Sequence, residues 1–141
     1  MEGDKFASMF VAKYNQKKKL LSYVNAGHNP PLIHYLNQEK PSELLEATSS
    51  VLGSMSSYDS IKEHDVHISD PAILIMYTDG LTEIMNADGA FYSIEMIDKM
   101  IGTKKRLSSK QINEDIINEA KKFAAKDVFL DDLTLLTCKL N

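Results

Sequence analysis

The chain has 141 residues and a hydrophobic fraction of 43%, which suits one folded domain with one core and excludes a disordered chain. Its net charge of −4 argues against a phosphate-backbone binder, which needs a concentrated basic face, so no nucleic-acid partner is expected. No apolar stretch is long enough to span a bilayer, the N-terminus MEGDKFASMF lacks a basic-then-apolar leader, and the single Cys138 excludes an internal disulfide, so a soluble cytoplasmic domain without membrane insertion is expected.

In chain order, Phe6 to Tyr14 (FASMFVAKY) reads as a strand, and Leu20 to Asn25 (LLSYVN) as a second. The short polar link between them predicts an antiparallel hairpin with a loop longer than two residues, and Lys17-Lys18-Lys19 reads as its solvated tip. The stretch AGHNPP is a loop signal, because Gly27 permits unusual φ and Pro30-Pro31 block a regular ladder. Leu32 to Tyr35 is a short third strand, residues 36 to 60 read as irregular, and Asp65 to Ile68 alternates as a strand does. Ala72 to Tyr77 is apolar throughout, as expected for a strand covered on both faces. Then the period changes. Ile94, Ile97 and Ile101 share a helical face that Gly102 is placed to cap. A second helix starts near Ser108, with a capping-box pattern to Gln111 and an apolar stripe of Ile112, Ile116, Ile117, Ala120, Phe123 and Ala124. Leu133 to Leu140 is the last strand, and Cys138 within it is expected to be a buried thiol. Strands, two helices and a strand in that order favour an α+β fold with a mainly antiparallel sheet.

Asp79 follows the end of one predicted strand, and Asp131 and Asp132 precede the start of another. If those strands are antiparallel neighbours, all three carboxylates fall at one rim, where they repel one another unless a cation is bound or one is protonated. Oxygen-only ligands favour Mg²⁺ or Mn²⁺ over zinc. The spacing leaves a second reading open, since Asp-Gly is a common turn dipeptide and Asp-Asp before a strand can solvate a loop.

The motifs NAGHNPPLI (Asn25 to Ile33), Leu52-Gly53, YTDGLTE (Tyr77 to Glu83), Asp88-Gly89 with Tyr92, and DDLTLL (Asp131 to Leu136) occur in one order. That order resembles the SpoIIE-type branch of the metal-dependent serine/threonine protein phosphatases, whose bacterial members control stress and sporulation sigma factors. The resemblance implies a β-sandwich flanked by helices, with a two-metal Mn²⁺ or Mg²⁺ centre at one end. It implies hydrolysis of phosphoserine or phosphothreonine by metal-activated water, on a phosphorylated regulatory partner of the anti-sigma antagonist type. By position, Asp79 and Asp131 match the family's metal-binding aspartates, with Asp132 the neighbouring carboxylate that is usual in this branch. The family's D-x-x-G-x-G motif, which supplies a bridging aspartate, has no counterpart here. A single phosphatase domain over residues 1–141, incomplete at its N-terminus, is therefore expected, binding metal weakly and inactive alone. A non-catalytic interaction module of the same fold is the alternative.

His28 and Gly27 read as residues that order their loop, and Thr78 and Thr134 flank the acidic positions as donors able to orient them, with Gly80 completing the turn. His64 and His67 point to opposite faces of a strand and make a poor metal pair. Glu83 reads as a helix cap. Uncovered sheet edges and apolar surface favour a homodimer.

Overall fold

A computed structural model describes residues 5–37, 39–53, 61–104, 108–125 and 132–141. The elements run β1 (Met9–Asn15), β2 (Leu20–Ala26), β3 (Leu32–Tyr35), β4 (Glu43–Leu44), β5 (His64–His67), β6 (Ala72–Tyr77), α1 (Asp79–Thr82), α2 (Ile94–Gly102), α3 (Ser109–Phe123) and β7 (Leu135–Leu140). They form two sheets, ordered β1-β2-β5 and β4-β3-β6-β7. Every pairing of these strands is antiparallel.

β6 explains the layering. Its residues Ile73, Ile75 and Tyr77 join Ile97 and Ile101 of α2 and Ile112, Ile116 and Ala120 of α3 in one core. Its alternate residues Ala72 and Leu74 join Leu21 and Tyr23 of the other sheet in a second core. A strand between a helical layer and a second sheet must be apolar on both faces, which is why its sequence shows no alternation. Ile97 and Ile116 are completely buried, each worth about 1.5–3 kcal/mol relative to exposure. The result is an α+β sandwich with helices against one sheet.

The β1–β2 hairpin turns through residues 16–19, with Lys19 at φ 53° and the Lys18 amide donating to Asn15 Oδ1. Its lysines stand at the tip, as expected. Ser108 and Gln111 form the complete capping box at the start of α3.

Some boundaries differ from expectation. The region read as irregular holds β4, a two-residue strand that exists because β3 offers it a ladder, with Leu44 opposite Leu32. β5 begins one residue earlier than its alternation suggests, because the partner Tyr23 extends the pairing to His64. The last strand starts at Leu135 rather than Leu133. Gly102 is the final helical residue and not a left-handed cap. α2 instead closes through Thr103, whose amide and hydroxyl both donate to Met100 O, at 3.2 and 2.7 Å. Cys138 is only partly buried, because β7 is the outer strand of its sheet among the described residues.

Candidate metal centre at the sheet rim

The antiparallel pair expected from the sequence is present. Tyr77 lies opposite Leu135 and Ala72 opposite Leu140, so the chain leaves β6 and enters β7 at the same rim. Asp79 and Asp132 therefore stand at that rim, and both are exposed. Asp131 lies outside the described residues, as does any statement of its distance from Asp79.

One side chain ties the two acidic segments together. The Thr78 amide donates to Thr134 O at 3.1 Å, extending the β6–β7 ladder one step past Tyr77. The Thr78 hydroxyl accepts the Thr134 amide at 2.9 Å and donates to Asp132 O at 3.2 Å. Thr78 thus binds the backbone on both sides of Leu133. Thr134 takes part through its backbone amide and carbonyl.

Past Thr78 the chain does not make the expected Asp-Gly turn. It makes one helical turn, Asp79–Thr82, with Thr78 at its N-cap. The Gly80 amide donates to Asp79 Oδ1 at 3.0 Å, while Asp79 O accepts from the Glu83 amide at 2.8 Å and the Thr82 hydroxyl at 3.3 Å. Glu83 is the residue that ends this turn. Gly80 and Leu81 are buried, which pins the turn to the core and leaves the carboxylate outward. Leu133, next to Asp132, lines a cleft of about 450 Å³ with Leu135 and with Asn113, Ile117 and Asn118 of α3.

The second loop at this end is organised by Asn25, the first residue of NAGHNPPLI, to which the sequence pattern assigned no role. Asn25 is fully buried. Its Nδ2 donates to Leu45 O at 2.9 Å, its Oδ1 accepts the His28 amide at 2.8 Å, and its backbone O accepts the amides of Thr48 and Ser49. Its sequence signal was its place at the head of NAGHNPPLI. Gly27 sits at φ +66°, and a Cβ there would come 2.4 Å from Val51 Cγ1. The His28 ring meets Ser8 Oγ at 3.1 Å through Nδ1. Both residues are engaged in loop contacts.

A third polar group joins Ser42, His34 and Asp98. Asp98 Oδ1 lies 2.6 Å from His34 Nδ1 and accepts from Ser42 Oγ at 2.6 Å, while Ser42 Oγ is 3.2 Å from that same Nδ1. A nucleophilic triad needs serine and carboxylate on opposite ring nitrogens. Here both meet Nδ1, so the group staples α2 to β3 and activates nothing.

The fit to a divalent cation is partial. Asp79 and Asp132 bring hard oxygen donors to one rim, which suits Mg²⁺ or Mn²⁺. Among the described residues no group of three His, Cys, Asp or Glu side chains gathers closely enough to hold a metal. His64 and His67 lie on β5, away from this rim on the other sheet.

Comparison with known proteins agrees with this layout. The chain is 28% identical over 139 residues to the phosphoserine phosphatase RsbU of Bacillus subtilis (strain 168), covering 99% of this chain and 40% of that protein. The SiaA-PP2C domain of Pseudomonas aeruginosa superposes with a TM-score of 0.76 at 13% identity, covering 95% of this chain and 52% of that one. The manganese-presoaked phosphatase domain of the Bacillus subtilis cell fate determinant SpoIIE gives 0.70 at 14% identity, covering 96% and 56%. The chain thus spans 40% of that curated relative and about half of each solved chain. The sandwich is theirs, and the Stage II sporulation protein E model matches residues 1–141, so the chain belongs to the SpoIIE family.

Proposed function

We propose that this chain is part of a metal-dependent phosphatase that removes phosphate from serine or threonine of a regulatory protein in sigma-factor signalling. The observation that carries the reading is the β6–β7 register, which delivers Asp79 and Asp132 to one rim of a SpoIIE-family sandwich. The kinship to a phosphoserine phosphatase supports the substrate class.

Asp79, Asp131 and Asp132 would hold the cation, which supplies an activated water and offsets charge on the leaving oxygen. Asp79 does this from the end of a strand buried on both faces, so its backbone cannot drift. Thr78 keeps the Asp132 segment in register with it. The exposed rim leaves room for a phosphorylated side chain to approach. This sequence has no D-x-x-G-x-G motif to supply a bridging aspartate, so the 141 residues alone are proposed to bind Mn²⁺ or Mg²⁺ weakly and to turn over little. The same feature favours the second reading, a sandwich of this family that binds a regulator without chemistry.

The test assays the 141-residue chain and a longer form carrying a D-x-x-G-x-G segment on a phosphoserine peptide with saturating Mn²⁺. The expected result is turnover by the longer form, abolished by Asp79→Asn, and little by the short chain. Robust turnover by the short chain would overturn the claim of weak activity. Undiminished turnover in the Asp79→Asn variant would overturn the ligand assignment, and no turnover in either form favours the non-catalytic module.

A further inference from the structure

β4 is the outer strand of one sheet and β5 the outer strand of the other, and a cavity of about 270 Å³ opens between them. It lies at the opposite edge of the second sheet from β7, and neither Thr78, Asp79 nor Asp132 lines it. Its walls include the aliphatic side chains of Leu45 and Val66, the rings of Tyr23 and His64, and the carboxylates of Glu43 and Glu46.

Tyr23 is the telling residue. It is 5% exposed, and among the described residues its hydroxyl has no hydrogen-bond partner. Among the described residues no side-chain oxygen or nitrogen that is fully shut off from solvent lacks a partner, so this hydroxyl opens onto the cavity rather than being sealed in the core. Burial, and then the charges of Glu46 and Glu43, push its phenol above the usual value, which places the hydroxyl in a negative potential. The His64 ring is tilted against the Tyr23 ring at 5.7 Å, so part of the cavity wall is aromatic.

We propose that this cavity binds an organic cation, a guanidinium or primary ammonium group carried on an apolar stem. The head would donate to the carboxylates of Glu46 and Glu43 and to Tyr23 Oη, and the rings would supply a cation–π face. The stem would lie along Leu45 and Val66, as the alkyl parts of lysine and arginine lie on apolar surface elsewhere. An anion is excluded by two carboxylates. A divalent metal ion needs about six oxygen ligands, and this wall is mostly ring and aliphatic carbon. Glu43 is also already engaged by the Tyr35 hydroxyl. A free amine and a basic side chain of a docked polypeptide share the required chemistry.

The test follows ¹H–¹⁵N spectra of the 141-residue chain during titration with agmatine, with N-acetyl-arginine methylamide and with neutral n-butylurea. The expected result is saturable shifts of the Tyr23, Leu45 and Val66 amides with a cation, and none with the urea. A response to agmatine alone assigns the site to free amines, and a response to the capped arginine as well assigns it to protein side chains. Glu46→Gln removes one charge-assisted bond from an exposed residue, so affinity should fall about tenfold with the spectrum otherwise unchanged. Tyr23→Phe should weaken binding severalfold, and added salt should weaken it further. The proposal is overturned if neither cation gives saturable shifts at tens of millimolar, roughly the weakest binding a built site should show. It is overturned equally if butylurea binds as well as the cations, or if Glu46→Gln binds agmatine like the parent chain.

Discussion

Replacing Thr78 by valine tests whether the rim is held in place or merely happens to be acidic. Valine keeps the β-branch and nearly the same volume, so the change removes hydrogen bonds and little else. Two are lost: the one Thr78 Oγ1 accepts from the Thr134 amide at 2.9 Å and the one it donates to Asp132 O at 3.2 Å. Each is worth about 0.5–1.5 kcal/mol net. The rim is wet, so water can satisfy the freed amide and carbonyl, and the summed loss should be about 1 kcal/mol. For a domain of this size that is about 3–4 °C in Tm. The backbone bond from the Thr78 amide to Thr134 O remains, so the strands stay paired. The Asp132 segment, however, loses one hydrogen bond to the Asp79 segment. If Asp132 helps hold the cation as proposed, loosening the backbone that carries its carboxylate should weaken Mn²⁺ binding by up to about tenfold. Circular dichroism melting and Mn²⁺ titration by calorimetry read the two effects separately. Thr78→Ser keeps the hydroxyl and should restore most of the affinity. If Thr78→Val melts lower but binds Mn²⁺ like the parent chain, the hydroxyl stabilises the rim without positioning a ligand, and the reasoning fails.

Asn25→Ala removes the acceptor of the His28 amide and the donor to Leu45 O at a fully buried position, and should cost about 3 kcal/mol in urea denaturation; a loss under about 1 kcal/mol would refute its role as loop organiser. Gly27→Ala combines φ +66° with a 2.4 Å approach to Val51 Cγ1 and should destabilise by about 1–3 kcal/mol, whereas a neutral result would mean the loop relaxes freely. Burial pushes the phenols of Tyr23, Tyr35, Tyr77 and Tyr92 above their usual value of 10.0. In the unfolded chain these groups ionise first, so the stability they carry is complete below pH 10.0 and is lost as pH rises through the raised folded values. Urea midpoints should fall from pH 9 to pH 11, less steeply in Tyr77→Phe, and parallel curves for the two proteins would refute the assignment. Met9 and Val11 are exposed on outer strand β1 and Leu136 on outer strand β7, so light scattering should show concentration-dependent self-association; a monomer at all concentrations would count against it.

What could be read in the sequence was whatever local pattern determines alone. The unbroken apolar run Ala72–Tyr77 announced a strand covered on both faces, and Ser108 with Gln111 announced a helix start, because each rests on residues within one turn or one strand. The pairing of β6 with β7 was only a condition that the sequence left open, and the register supplies it. Residues whose role depends on distant partners were not legible. Asn25 acts through Leu45, and His34 acts through Asp98, 64 positions away. β4 is a strand only because β3 lies beside it. Gly102 shows the opposite error, in which a sound local rule was displaced because Thr103 offered a hydroxyl and a tight turn to the same carbonyl.

The same contrast explains why the rim lies where it does. A carboxylate placed inside Ala72–Tyr77 would be buried against one core or the other and would cost several kcal/mol unless paired. One residue past Tyr77 the ladder still holds, through Thr78, and two residues past it the chain reaches water. Asp79 is thus the first position after β6 where a charge is solvated while its backbone is still fixed by a buried turn, Gly80–Leu81, and a two-sided strand. β7 reaches the mirror-image condition at Asp132, on the far side of Thr134. A rigid, doubly buried strand can offer an ionised group to a cation without burying the charge at such a boundary, which is the physical reason the proposed ligand Asp79 follows the most apolar strand of the chain.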